Sequence, residues 1–538
     1  MTTRRWNSWG NEGSEYTSEL TDNLRQVLEN LVGPGNPLPE STLEDVLARV
    51  PPSRMPAHSL IDTSAESRLR HARGQSLPDW LAVRSGEIGE FPDGVATPET
   101  SAAVAQLLRF AIEQGITVIP YGGGTSVAGH INPESGVRPV LTLSLARLDT
   151  LIALDEDSQL ATFGAGTPGP KIEAQLQARG YTLGHYPQSW ELSTVGGWVA
   201  SRSSGQQSLH YGRIEQMFAG CKMESPAGTL DVPTIPASSA GPDLREMVMG
   251  SEGRMGVITE VVVRVTPLPE HESFHVIFFP DWDSGMAAAK QLVQQKVPLS
   301  MVRLSNALET ISLLHMGSDS EAVAALEESL LVQGVGDLKV MMTVGITGTH
   351  RQCQSSRDQL DDCCSALGGV YAAPELGQRW QHGRFRAPYL REPLGMAGYA
   401  VDTMETAVDW VRLPRMMYGV EKAIREALES EGVAVHVYSH LSHVYGQGSS
   451  VYTTYIFPYG PSYVETMARW RKLKAAGAEQ IVACGGTISH QHGVGADHRN
   501  YLAAEKGVLG IAAIRSLCDL FDPDEHMNPG KLLPESRC

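Results

Sequence analysis

The stretch Ile116-Thr-Val-Ile-Pro-Tyr-Gly-Gly-Gly-Thr-Ser-Val-Ala-Gly129 constrains this chain more than any other, because it runs a β-branched segment straight into a glycine cluster carrying hydroxyls. Consecutive glycines at 122, 123 and 124 let the backbone approach a ligand without Cβ interference, so that several N–H groups can converge on one anion. Thr125 and Ser126 add hydroxyl donors. A glycine-rich turn after a buried strand is the plain alternative for this segment taken alone.

The chain has 538 residues, enough for two large domains or three smaller ones. Its formal charge of −18 excludes a general binder of nucleic acid or anionic membranes, which would need clustered Lys and Arg. The seven cysteines include an adjacent pair at Cys363 and Cys364 but no CxxC spacing, which points to a reducing compartment rather than a disulfide framework. No apolar run is long enough for a membrane span, and the first residues lack the apolar core of a secretory signal. The last residues are not a peroxisomal tripeptide, so a cytoplasmic location is the expectation.

Apolar spacing predicts helices over 14–32 and 41–50, punctuated by prolines. From 88 onward short β-type runs alternate with helices: a helix at 99–113, strands at 116–119 and 139–143, and a helix at 169–179. A period-two strand from Gly256 is stopped by Pro267 and Pro269, which marks a boundary near residue 268. Mixed helix and strand follow, including an acidic helix at 318–332 and another at 414–430.

Further glycine-hydroxyl clusters stand at 164–169, at Ser193-Thr-Val-Gly-Gly197, and at Gly250-Ser-Glu-Gly-Arg-Met-Gly-Val-Ile258. Together they could line a long anionic cofactor, and none has the Rossmann or P-loop spacing. The Pro120–Ser126, 193–197 and 250–258 segments resemble the FAD-binding domain of the vanillyl-alcohol oxidase and p-cresol methylhydroxylase superfamily. Within it, Trp6-Asn-Ser-Trp-Gly10, Arg73-Gly-Gln-Ser-Leu77, the segment Gly184–Trp198 and Ile488-Ser-His-Gln-His-Gly-Val-Gly495 resemble the alkyldihydroxyacetonephosphate synthase family.

The resemblance implies an α+β fold, a two-subdomain FAD-binding domain with an α+β cap. It divides the chain into an N-terminal helical region (1–87), the FAD domain (88–268), the cap (269–490) and a C-terminal segment (491–538) returning to the FAD domain. Pro120, Gly122, Gly123, Gly124, Thr125, Ser126, His185, Ser193, Thr194, Gly196, Gly197, Glu252, Gly256 and Ile258 are the implied cofactor residues. FAD would be held non-covalently: Thr125 stands where tethering relatives carry a histidine, although tethering from the cap stays open. The implied reaction exchanges the acyl chain of acyl-dihydroxyacetone phosphate for a fatty alcohol, with flavin N5 capturing the substrate carbon. A small-molecule or lipid substrate, peripheral membrane contact and a homodimer are compatible with it.

Six histidines, at 436, 440, 443, 490, 492 and 498, crowd the C-terminal third. On an extended segment His490 and His492 share one face, and the glycines after them allow a tight turn. By resemblance His492 is the last of a three-histidine run in which Gln491 replaces the middle member. A glutamine cannot serve as acid or base near neutral pH. Tyr452 matches the tyrosine thought to remove the substrate's α-proton, which requires a lowered pKa or a relay. Arg391 and Arg303 resemble cap arginines for a carboxylate or phosphate, with His443 a further substrate contact. His440-Leu-Ser-His443 has metal-like spacing, but Gln491 removes the acidic partner and no metal is assigned. The alternative activity is FAD-linked oxidation of a 2-hydroxy acid or alcohol, with His492 or Tyr452 as base. Asn528-Pro-Gly-Lys resembles that branch.

Overall fold

The computed structural model describes residues 3–14, 20–317 and 320–534. A four-stranded sheet, in the order Ile61–Asp62, Gly94–Ala96, Val140–Ser144, Thr117–Tyr121, is parallel through its last three strands. Pro120 is tolerated because Thr117–Tyr121 is the edge strand, where a missing N–H leaves no ladder partner unmet. The C-terminal segment covers that edge: Val118 donates to the His526 carbonyl, and Asn528 N–H donates to that of Val118.

A second sheet of five antiparallel strands follows in the order Leu151–Asp155, Leu160–Gly164, Val257–Arg264, Phe218–Ser225, Gly228–Val232. One apolar core joins both sheets and also takes in Val494, Leu502, Met527 and Leu533, so the end of the chain packs with them.

The third sheet has seven antiparallel strands in the order Val370–Tyr371, His271–Phe279, Val340–Gly348, Met301–Ser305, His436–Leu441, Gly448–Pro458, Tyr399–Asp409. Helices Trp282–Gln294, His350–Ala366, Leu413–Glu426 and Tyr463–Cys484 contribute to the core on one of its faces.

The helices expected at 99–113 and 169–179 form over Ser101–Glu113, capped by Thr100, and Gly169–Gln177. The predicted strand at 116 runs on to Tyr121, because pairing with Val140–Ser144 continues through Pro120. The helix expected from residue 14 begins at Asp22, where the Thr21 side chain accepts from the Leu24 N–H. Residues 15–19 lie outside the described part, as do 318 and 319 ahead of the acidic helix Ser320–Val332. The helix predicted to 430 stops at Glu426. The six described cysteines are buried and free. No described helix is long and apolar enough to cross a membrane.

Candidate active site

A cavity of about 800 Å3 separates the open face of the seven-stranded sheet from the glycine-rich loops. On one side it is lined by Pro120, Gly122–Val127, Ser193, Thr194, Gly196, Gly197, Glu252, Gly256 and Ile258. Their glycines let the 122–124 loop pack directly on the 192–194 loop. A Cβ on Gly123 would stand 1.8 Å from the Leu192 carbonyl oxygen, and one on Gly122 would stand 2.4 Å from Thr194 Oγ1. Thr194 Oγ1, Ser204 Oγ and Gln206 Oε1 are buried without hydrogen-bond partners, and all three residues line the cavity. Unpaired buried polar atoms of this kind fit a long polar ligand. The cradle therefore suits a dinucleotide such as FAD.

Two residues of the expected cofactor set are placed differently. His185 is 1% exposed and outside the cavity lining; its Nε2 lies 3.2 Å from Ser203 Oγ and its ring packs on Trp198. Burial, then Arg213, depresses its pKa to about 3, so it is a neutral core imidazole. Glu252 borders the cavity, but its carboxylate accepts from the Val494 N–H at 2.5 Å and the Gly495 N–H at 2.7 Å. It holds the turn after His492, a function that negative charge suits and a cofactor phosphate would oppose.

The sheet side contributes the chemical groups. Arg303, His440 and Tyr452 stand on adjacent strands, since Ser305 pairs with His440 and His440 pairs with Tyr452. The His440 and Tyr452 rings stack at 4.9 Å, and His492 meets Tyr452 edge-on at 5.9 Å. All of these residues, with Arg391, His443 and Gln491, line the cavity. The Tyr452 hydroxyl donates to Thr403 Oγ1 at 3.2 Å. Burial pushes its pKa up to about 12, the reverse of what a proton-abstracting phenolate needs. Burial also lowers the pKa of His492, with Glu405 partly opposing it, which leaves a neutral imidazole at pH 7.

Behind His492 lies Glu405, a residue the sequence reading missed. Its carboxylate is completely buried and accepts from Ser442 Oγ at 2.6 Å and from the Gln491 amide at 2.7 Å. His490 Nδ1 lies 3.1 Å away, His443 Nδ1 3.5 Å and His492 Nε2 3.9 Å. Burial raises its pKa, but the surrounding imidazoles more than compensate and hold it well below the usual carboxylate range. Glu405, His443 and His490 present atoms within 4.8 Å of one another, a spacing that a metal could bridge. Ser442 and Gln491 already donate to the carboxylate, and the Arg213 guanidinium lies 3.4 Å from His490 Nε2.

His490, which the resemblance places with His492 among the catalytic groups, stands behind them instead. It lies outside the cavity lining, with Nε2 2.7 Å from the Tyr445 hydroxyl. His443 reaches the cavity, but its Nε2 lies 3.2 Å from the Gly205 carbonyl oxygen. Arg303 also differs from expectation, because its guanidinium donates to Glu309 at 2.8 Å and to Ser305 Oγ at 3.0 Å. Burial would raise the pKa of Glu309, but Arg303 and His440 outweigh it and hold the carboxyl at about 2. Arg391 donates to the Gln75 carbonyl and lies 3.8 Å from Asp402, near the face of Trp80. Of Arg303 and Arg391, it is the one whose carboxylate partner is the more distant.

Sequence comparison finds the FAD binding domain family over residues 92–231 and the FAD linked oxidases, C-terminal domain family over 268–532. Alkyldihydroxyacetonephosphate synthase of Dictyostelium discoideum is 31% identical over 479 residues, covering 87% of this chain and 77% of that protein. The chain belongs to the alkyldihydroxyacetonephosphate synthase family. The Caenorhabditis elegans synthase is 28% identical, over 96% of this chain and 93% of its own length. A solved alkyldihydroxyacetonephosphate synthase superposes with a TM-score of 0.84 at 25% identity, covering 98% of each chain. p-Cresol methylhydroxylase, at 12% identity and a TM-score of 0.68 over 95% of this chain and 97% of its own, shares the fold. Like other members of the synthase family, this chain is an FAD-dependent enzyme with a vanillyl-alcohol oxidase-type FAD domain and an α+β cap.

Proposed function

We propose that this enzyme exchanges the acyl group of acyl-dihydroxyacetone phosphate for a fatty alcohol. The observation that carries the reading is the convergence of His492, Tyr452 and Arg391 on the same cavity as the cofactor cradle. In the net reaction the substrate C1–O bond breaks, its electron pair leaves with the fatty acid carboxylate, and the alcohol oxygen bonds to C1 and loses its proton. No electrons are gained or lost overall. FAD, which the loops at Gly122–Gly124, Ser193–Gly197 and Gly256–Ile258 would hold, would supply an electron-accepting ring.

The residues divide the remaining tasks by protonation state. His492 turns Nε2 toward Glu405, which leaves Nδ1 to accept the C1 proton and to return it to C1 once the alcohol oxygen has bonded there. Tyr452, kept as a phenol, turns its hydroxyl from Thr403 to donate a hydrogen bond to the substrate carbonyl oxygen, where charge develops. Arg391 receives the departing carboxylate. Glu405 and Gln491 orient His492, with Gln491 supplying an amide donor instead of a proton-transfer group.

Incubation of the FAD-loaded protein with acyl-dihydroxyacetone phosphate and labelled hexadecanol tests the reading, with labelled ether product expected. Absence of exchange, together with anaerobic flavin bleaching by a 2-hydroxy acid, would refute it in favour of oxidation.

A further inference from the structure

The segments Trp6-Asn-Ser-Trp-Gly10 and Arg73-Gly-Gln-Ser-Leu77 supply no acid or base to the cavity, yet both are tied to the cofactor loop. The Gln75 N–H donates to the Ser126 carbonyl at 2.7 Å, and a Cβ on Gly74 would stand 2.6 Å from that oxygen. Residues 3–14 fold back as a hook: the Glu12 N–H donates to the Thr3 carbonyl at 2.8 Å, and the Arg5 N–H to that of Gly10 at 3.1 Å. From this hook the Arg4 guanidinium donates to the Gly123 carbonyl. Arg70 fixes the hook in turn, donating to the Arg4 carbonyl at 2.6 Å.

The hook also grips the cap. Arg5 forks onto Glu392, with Nη1 2.6 Å from Oε2 and Nη2 on Oε1, and Ser8 Oγ donates to Oε2 at 3.0 Å. Arg84 lies 3.8 Å from Oε1. Glu392 is buried, so a planar fork of N–H donors fixes its direction. It follows Arg391 at the start of the helix Arg391–Met396. Arg391 itself is bounded by the same two segments: its guanidinium donates to the Gln75 carbonyl and lies 5.4 Å from the centre of Trp80. Trp80 shares a buried cluster with Trp9 of the hook and with Tyr389, and its indole N–H donates to Gln75 Oε1 at 2.8 Å.

We propose that Arg5 and Glu392 are positioning residues for Arg391, and that the hook sets this anion-binding guanidinium relative to the cofactor loop. That the anion is a carboxylate rests on the exchange reaction proposed above. Arg391 lines the cavity, whereas neither Arg5 nor Glu392 does, so both act through it. The fork holds the first turn of the helix in one orientation, and with it the backbone that carries Arg391. Gln75 and Trp80 then fix the guanidinium from the other side. A bidentate contact with a carboxylate tolerates little error in that placement.

Calorimetric titration of the FAD-loaded, full-length protein with octanoate reads the anion contact, and octanol serves as the uncharged control. Arg5→Met and Glu392→Gln should each weaken octanoate about tenfold, the worth of one hydrogen bond to a charged group, and leave octanol and FAD retention unchanged. Glu392→Gln keeps size and one acceptor oxygen, which guards against a misfolded variant. It also removes a negative charge beside Arg391, which by charge alone would strengthen octanoate, so weakening reports lost orientation. The double variant should bind no more weakly than the weaker single one, because both changes break one pair. Octanoate affinity unchanged in both single variants or raised in Glu392→Gln, an equal loss of octanol, or additive losses in the double variant would overturn the proposal. Selective loss of octanoate in a protein that performs no exchange would preserve the positioning role and refute the reaction.

Discussion

Replacing Glu405 by glutamine tests the arrangement around His492 most directly. The substitution keeps size and removes charge. An amide retains one acceptor oxygen, so it can still accept from either Ser442 Oγ, now 2.6 Å away, or Gln491, now 2.7 Å away. With its oxygen kept toward Ser442 and His490 Nδ1, which share one carboxylate oxygen, its NH2 faces the Gln491 amide donor. At least one charge-assisted bond is lost, about 1.5–3 kcal/mol, and with a donor left unpaired the total is about 2–5 kcal/mol. Denaturant titration of the FAD-loaded protein should show that loss as a lower midpoint.

The catalytic effect has its own signature. His492 is faced by Glu405 and Asp402, which raise its pKa, and by Lys474 and His130, which lower it. Loss of the Glu405 charge removes the largest of the raising influences. The acid limb of the pH–rate profile should therefore move to lower pH while kcat falls roughly 10²–10⁴-fold. A variant that retains FAD but shows an unmoved acid limb, or one displaced to higher pH, would refute the view that Glu405 acts through His492.

Other outcomes follow from individual contacts. Tyr452→Phe keeps the stacking on His440 and loses one hydroxyl, so exchange should fall roughly 10²-fold with flavin binding unchanged, and a loss of flavin would count against the assignment. Gly123→Ala should abolish FAD retention, seen as loss of visible absorbance, since its Cβ would collide with the Leu192 carbonyl. Glu309 has a lowered folded-state pKa, so its stabilisation is complete above about pH 4.5 and fades as pH falls toward about 2. Glu309→Gln should flatten that part of the acid-denaturation curve, and an unchanged slope would contradict the Arg303–Glu309–His440 linkage.

The cofactor side of the site was legible because each loop is contiguous in sequence, and glycines adjacent to hydroxyls are a local signal. His492 and Tyr452 were legible from motif context. Glu405 was not: it is one acidic residue on a strand whose alternation predicts only burial, and its partners stand from 37 to 87 positions along the chain. Arg303 was misjudged for a related reason. Glu309, only six residues later, neutralises it, but it does so from a helix that turns back over the strand. The proton state of Tyr452 likewise depends on burial, which a sequence does not display.

The two hydrogen bonds that the Glu252 carboxylate accepts from the Val494 and Gly495 N–H groups bear on the order in which this enzyme becomes competent. The loop that borders the cofactor is also the anchor of the turn that presents His492. Ordering either one lowers the cost of ordering the other, so flavin uptake and the placing of His492 are coupled. Amide exchange at Val494 and Gly495 should slow on FAD addition before any substrate is present.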